Sequence, residues 1–466
     1  MIPQLAVIGR SGGRSFARGT RSRKLHTDAS VNAKAAKSGE AQKVELPVIT
    51  ATFDELLAEQ IEAYPHKDTY DSATEDLKVT TQELRAHAYG LTGGIHEYRT
   101  KARKSYAAAT GLRIEPLIGL LGAPKAGKLF AAIPPFRTEQ MISDLNKTSA
   151  QFFLWSPKIG KTNQLDDIYK VFEKLLAMSP ETFGPVSDAR VPNLQFVVHT
   201  AKRVLNGMVF HRDLLAYHYY ESQIKPSEII GANEVSTLVF HGEEIAALSQ
   251  SNIINTANSL GHALGLTGAH TTLNGLLPDS AAGLVAGFML PIVRRSKLVV
   301  SSDVPHSDVP RVHDAIAQHG VNTVVGDAQL WSSILSSSVP AQTKAFAEAI
   351  KTGVIVGNNK PVEESLVQAI QKTLGVAKVH VSQGSALTSG VALVDGQAIA
   401  NTQVKLVDKA GKDTTGSGFL AVKGINVFKG IYKNGSVDAS SVKADGFVLT
   451  DIKAKQETAS TFSVIN

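Results

Sequence analysis

Between Val235 and Asn255 the chain carries its most constraining stretch. A run with strand character, Val235-Ser236-Thr237-Leu238-Val239-Phe240, leads through a short polar break into a helix-like run, Leu248-Ser249-Gln250-Ser251-Asn252-Ile253-Ile254-Asn255. The break reads His241-Gly242-Glu243-Glu244-Ile245-Ala246-Ala247, with one glycine, no lysine and two carboxylates. A loop that cradles phosphates needs free backbone N–H groups, glycines for close approach and a cation. This one offers the reverse charge. Short apolar strands and amphipathic helices alternate along the rest of the chain, as in Val309 to Gly320, where Val309, Val312, Ile316 and Ala317 fall near helical spacing. That alternation predicts an α/β fold with mostly parallel sheets.

Several segments, in order, give the pattern a family likeness. Lys297-Leu298-Val299-Val300-Ser301-Ser302 and Val321-Asn322-Thr323-Val324-Val325-Gly326 read as buried strands, and Lys351-Thr352-Gly353-Val354-Ile355-Val356-Gly357-Asn358-Asn359-Lys360-Pro361 as a strand and turn. Gly418 to Gly424, Gly430-Ile431-Tyr432 and Asp445-Gly446-Phe447-Val448-Leu449-Thr450-Asp451 follow. In order and spacing this half resembles the large domain of the adenylate-forming ligases, the acyl-CoA synthetase superfamily. The first half fits more loosely, through Phe53 to Tyr64 as an opening helix, Thr81-Gln82-Glu83-Leu84 within a capping box, Ile114 to Leu121 read as a strand, and Arg137 to Leu145 as a helix before the strand Ala150 to Trp155.

The resemblance implies a reaction whose working groups this chain lacks. The family places a glycine-rich phosphate loop with a lysine where this chain has His241 to Ala247, which is shorter by about five residues. The family's Thr-Glu pair, whose Glu holds magnesium, falls on Ala386 and Leu387 within Gln383-Gly384-Ser385-Ala386-Leu387. Leucine cannot ligate a hard cation that wants oxygen. The ribose-binding aspartate corresponds to Asp451, and the family's C-terminal domain with its catalytic lysine is expected to be missing. Loss of several electrostatic contributors together predicts no adenylation. No catalytic, metal or cofactor site is therefore expected, and Gly357, Gly384 and Asp451 mark a vestigial pocket at most.

Gly122-Ala123-Pro124-Lys125-Ala126-Gly127-Lys128 satisfies Walker A spacing, but Leu129 replaces the Ser or Thr that holds magnesium and Pro124 removes an N–H. A glycine-containing turn is the expected reading. The histidines lack metal-pair spacing, and with no cysteine there are neither disulfides nor thiolate sites.

Charge supplies an address. Arg10, Arg14, Arg18, Arg21, Arg23 and Lys24 precede the first acid, Asp28, and the first four share one helical face. This pattern predicts a mitochondrial presequence over 1–27, with a cut after Leu25 and a flexible lead-in over 28–46. The alternative is a basic tail for nucleic acid. Without 1–27 the 48 basic residues fall by six to 42, equal to the 42 acidic ones, which removes any general drive toward nucleic acid. Ala281 to Val293, the longest apolar run, is too short to span a bilayer.

The expectation is thus a truncated acyl-CoA synthetase-like large domain: an N-terminal α/β subdomain over 47–235, a second over 236–395 and a small β-rich subdomain over 396–466. The function expected is non-catalytic: an accessory structural subunit of a mitochondrial inner-membrane complex on its matrix side, the ATP synthase first among candidates, held to the membrane through protein partners. The alternative is a matrix acyl-CoA or nucleotide binding protein without ligase activity. Segments 156–190 and 206–233, with Trp155, Phe172, Phe183, Phe210 and Tyr217 to Tyr220, are either docking surfaces or packed on the domain's own core.

Overall fold

The computed structural model describes residues 45–466 except 102, 180–183, 217–226 and 338–339. The segment expected as a presequence, most of the expected lead-in, Phe183 and Tyr217 to Tyr220 lie outside the described residues. Two nine-stranded sheets dominate. Each has a parallel centre, flanked by antiparallel strands at both edges in one sheet and at one edge only in the other, which fits the mixed, mostly parallel α/β class expected from the alternation of elements.

The first sheet is centred on Ser105–Ala109, Leu129–Ala132, Ala150–Trp155 and Phe196–His199, which pair in parallel. Alternation along these strands sorts their side chains. Tyr106, Phe130, Phe152 and Leu154 face the large central core, while Ala107, Ala131, Phe153 and Trp155 face a second core under the helices Met141–Lys147, Leu165–Val171 and Glu173–Ala177. The second sheet sorts in the same way. Leu298, Val300, Val325 and Val354 point to the central core, and Val299, Val324 and Ile355 to a third core beneath Val309–His319, Ala328–Ser337 and Glu364–Leu374. Strands buried on both faces read as near-continuous apolar runs, as they do here.

The layer between the sheets holds Gln250–Ala263 and the run Gly283–Met289, which is wound as a π-helix and continues into Leu290–Val293. All seven residues of the π-helical turn are buried. The long apolar run is thus a central core element. Among the described residues no helix is long and apolar enough to cross a membrane.

Sheet membership cuts across the segments drawn from sequence. Asp68–Ser72 and Leu77–Thr80, inside 47–235, complete the second sheet, and the hairpin Gly430–Lys433 with Ser436–Asp438, inside 396–466, completes the first. Gln397–Ala398 edges the second sheet, and Thr402–Val407, Ser417–Gly424, Val448–Gln456 and Phe462–Val464 form a separate four-stranded sheet. Its inner residues Leu406, Leu420, Val422 and Ile452 join the central core.

The capping box expected ahead of Glu83 forms, and a second one stands at the preceding helix. Thr52 and Thr80 each close a capping box, with Glu55 and Glu83, ahead of Phe53–Ala63 and Thr81–Glu97. Two local readings are corrected. Ile114–Gly122 is a helix, not a strand. Its uniform apolarity conceals the period, and Pro116 sits in the first turn, where a missing N–H costs nothing. Leu248 and Ser249 end a strand, Glu244–Ser249, and the helix starts only at Gln250. Trp155 and Phe172 are 1% and 2% exposed, so they belong to the domain's own core rather than to a docking surface.

Candidate functional site

Ligands in open α/β sheets bind in the crevice at the carboxyl ends of parallel strands. In the second sheet those ends bring together Asn274, Gly326, Asn358 and Gln383. Gly357 and Gly384, far apart in sequence, meet here: the Gly384 N–H donates to Asn358 O at 3.1 Å. Asp451 joins them through Asn359, whose Nδ2 donates to Asp451 Oδ2 at 2.7 Å. The three vestigial residues share one neighbourhood, but the space among their strands is occupied. A Cβ on Gly384 would stand 2.6 Å from the backbone of Val391, and one on Gly357 would stand 2.8 Å from Val362 Cγ2. Leu330 presses so closely on Gly275 and Gly326 that a Cβ there would meet its Cδ2 at 2.1 and 2.5 Å.

Where the resemblance implies a Thr-Glu pair, the chain forms a single tight turn, Ala386–Thr388, capped by Ser385. Ala386 and Leu387 are buried among Val391, Val427 and Phe428. The Leu387 carbonyl accepts from Phe428 N at 3.0 Å, and the adjoining Lys429 N donates to Ala247 O at 2.8 Å. Asn252 Nδ2 donates to Ile425 O and Val427 O at 2.6 and 3.0 Å, fastening the same segment to the start of the central helix. Segment 425–429 therefore stitches the Leu387 turn to the strand Glu244–Ser249. Nearby, Asp279 is held at about 6 by burial, with Asp327 adding repulsion.

The phosphate-loop position is a bare hairpin. Val235–His241 and Glu244–Ser249 pair antiparallel with His241 opposite Glu244, leaving a two-residue turn of Gly242 and Glu243. Gly242 has φ 61°, the positive value a two-residue hairpin needs at its first turn position. Glu243 Oε1 accepts from Arg137 at 3.0 Å, and Oε2 from Lys147 Nζ at 2.6 Å. These hydrogen bonds, Lys147 first, hold its carboxyl below the usual range. The cations nearest the tip are thus already paired with a carboxylate.

The Walker-like segment has the reverse order of a phosphate-binding loop. Helix Ile114–Gly122 precedes the turn and strand Leu129–Ala132 follows it. Lys125 Nζ donates to Asp54 Oδ2 at 2.6 Å, and the buried Lys128 Nζ to Gln151 Oε1 at 2.6 Å and to the Lys101 carbonyl. Burial lowers Lys128 to about 7.

Sequence reasoning missed a buried ionic group of Glu75, Arg113, Glu115 and Asp303. Its members come from three segments separated by up to 228 positions, the difference between 75 and 303, so no motif announces them.

Comparison with known proteins agrees with this geometry. The AMP-binding enzyme family matches residues 246–432. An anthranilate CoA ligase, AuaEII, solved with anthranoyl-AMP, superposes with a TM-score of 0.74 at 12% identity, over 90% of this chain and 77% of that one. A putative long-chain-fatty-acid CoA ligase of Rhodopseudomonas palustris gives 0.72 at 15% identity, over 90% of this chain and 99% of that one. The N-terminal domain of FACL13 from Mycobacterium tuberculosis gives 0.73 at 12% identity, over 89% and 100%. Malpinin synthetase of Mortierella alpina is 24% identical over 151 residues, 32% of this chain and 2% of the synthetase's length. By fold the chain is similar to the large domain of the adenylate-forming ligases, and residues 246–432 match the AMP-binding enzyme family.

Proposed function

We propose that this protein is a catalytically silent member of the adenylate-forming ligase superfamily, serving as an accessory structural subunit of a mitochondrial inner-membrane complex on its matrix side. The two-residue Gly242-Glu243 hairpin carries the reading, since no phosphate-cradling loop can be threaded between two directly paired strands. The buried Leu387, standing where an oxygen ligand for magnesium would be needed, supports it. The arginine spacing over residues 10–21 supports the mitochondrial address. Fold alone does not fix function, so a stable fold without its chemistry is read as a binding or building part. The ATP synthase is the first assembly to test.

The second reading, an acyl-CoA or nucleotide binder without ligase activity, draws on one observation. Asp451 is exposed and remains next to Gly357 and Gly384 through Asn359.

The protein lacking residues 1–27 is expected to show no substrate-dependent pyrophosphate–ATP exchange. Exchange above background that disappears in Asp451→Ala would overturn the silent-enzyme reading. In gently solubilised mitochondria the protein should co-migrate in fixed ratio with a complex of several hundred kilodaltons, over an interface above about 1,000 Å². If it runs alone with a bound acyl or adenine compound, the binder reading replaces the structural one.

A further inference from the structure

At the carboxyl ends of both sheets a buried ionic joint ties one sheet to the other. The segment after strand Ser105–Ala109 of the first sheet supplies Arg113 and Glu115. The turn after Asp68–Ser72 supplies Glu75, and the loop after Lys297–Val300 supplies Asp303, both from the second sheet. Arg113 Nε lies 3.9 Å from Glu75 Oε1, 3.7 Å from Glu115 Oε2 and 3.7 Å from Asp303 Oδ1. The four side chains are only 9–18% exposed.

None of these three contacts is a hydrogen bond, since Arg113 Nε, Glu115 Oε2 and Asp303 Oδ1 are buried without a partner. Two tyrosines close the joint from the central core, and both are fully buried. Tyr70 OH donates to Glu75 Oε2 at 2.6 Å, while Tyr106 OH is unpartnered and close enough to Glu115 to feel its charge. The backbone joins in, with Leu112 N donating to Asp303 O at 2.8 Å and Ile114 N to Glu75 Oε1 at 3.5 Å. Gly160 N approaches Asp303 Oδ2 at 3.4 Å.

Three carboxylates surround one guanidinium. If all were ionised, two negative charges would stay uncompensated in a site largely closed to water, which like charges at this range resist. We propose that the cluster is a proton-operated clamp: a proton on Glu115 lets the Arg113 segment of the first sheet hold to the Glu75 turn and the Asp303 loop of the second, and loss of that proton loosens the joint. The clamp does not depend on whether the protein is an enzyme, a binder or a structural part.

Burial first, and then the Glu75 charge, raises the Glu115 carboxyl from 4.5 to about 7, with Arg113 opposing and Asp303 adding to the rise. The folded state therefore holds this proton more tightly than the unfolded chain. The stabilisation is fully present below pH 4.5, falls as pH rises toward 7, and levels off above it. From this group alone the folded-to-unfolded ratio should drop by about two orders of magnitude between pH 4 and pH 8. Asp279 titrates in the same sense, while the buried His199 and His211, held at about 4 and 3, act in the opposite one. A difference between variants isolates the clamp from them.

The test is denaturant unfolding of the full chain from pH 5 to pH 8.5, with hydrogen exchange read over residues 73–76, 111–115 and 301–304. Glu115→Gln, which keeps the shape of the protonated acid, should flatten the fall in stability and exceed the natural protein at pH 8. At that pH exchange in the three segments should be fast in the natural protein and slow in the variant. Asp303→Asn, a second variant with one negative charge fewer, should move the midpoint of the loss to lower pH. A Glu115→Gln protein with an unchanged pH profile, or one less stable than the natural protein at pH 8, overturns the clamp. So does protection of the natural protein, but not of Glu115→Gln, by magnesium or calcium chloride at pH 8, which would make the cluster a cation site.

Discussion

Leu387 is a core residue at the position where the resemblance implies a magnesium ligand. Its side chain is 7% exposed and packs in the same cluster as Val391 and Phe428. The stretch around Gly384 identified the position from sequence, but not what surrounds the side chain. A carboxylate restored there would be desolvated among apolar neighbours, with no oxygen partner set to receive a cation. Leu387→Glu is therefore expected to cost about 3 kcal/mol in denaturant unfolding and to yield no pyrophosphate exchange. A variant as stable as the natural protein would show that the turn still opens onto a solvated cleft. Asp451, by contrast, is exposed and paired with Asn359, so its carboxylate remains where the sequence put it.

Among the elements, the hairpin Val235–Ser249 carries the proposed reading, and its turn hangs on one residue. Nothing lies within 4 Å of where a Cβ on Gly242 would stand, so a substitution there meets only backbone strain at positive φ. Gly242→Ala should cost about 1 kcal/mol, and Gly242→Val more, measured as a fall in unfolding midpoint without loss of cooperativity. A neutral Gly242→Val would mean that the strands are not joined by this two-residue turn. The capping box at Thr80 was legible because its signal is contained within four residues. Helix Ile114–Gly122 was not: eight of its nine residues are buried, and an element apolar all round has no polar face to reveal a period.

The whole molecule is held by contacts between distant segments, and the arm over residues 45–53 is the clearest case. Asn401 receives the Leu46 N–H at 2.9 Å and donates to the Leu46 carbonyl at 2.9 Å. Asn255 clasps Ile49 in the same two-bond manner at 2.8 Å each, and Gln250 Oε1 accepts from Phe53 N at 2.7 Å. The arm thereby links the start of the small sheet to the central helix. Asn255→Ala and Asn401→Ala should each cost about 2 kcal/mol through the two hydrogen bonds that each makes to the arm. Together they should speed amide exchange in residues 45–52 and in Thr402–Val407. Unchanged exchange in the double variant would show that apolar packing of Ile49 alone holds the arm.

The sequence by itself determined the α/β class, the parallel strand runs and the capping box before Glu83. These are written in short windows, in periods of two and 3.6 and in side-chain identities. Only the tertiary structure decided that Asp68–Thr80 crosses to the second sheet and that the hairpin Gly430–Asp438 returns to the first. It also decided that Leu330 packs against Gly275 and Gly326, that segment 425–429 fastens the Leu387 turn, and that Glu75, Arg113, Glu115 and Asp303 share one buried joint. Each of these rests on residues tens to hundreds of positions apart, brought together by burial of three apolar cores whose faces are readable but whose partners are not.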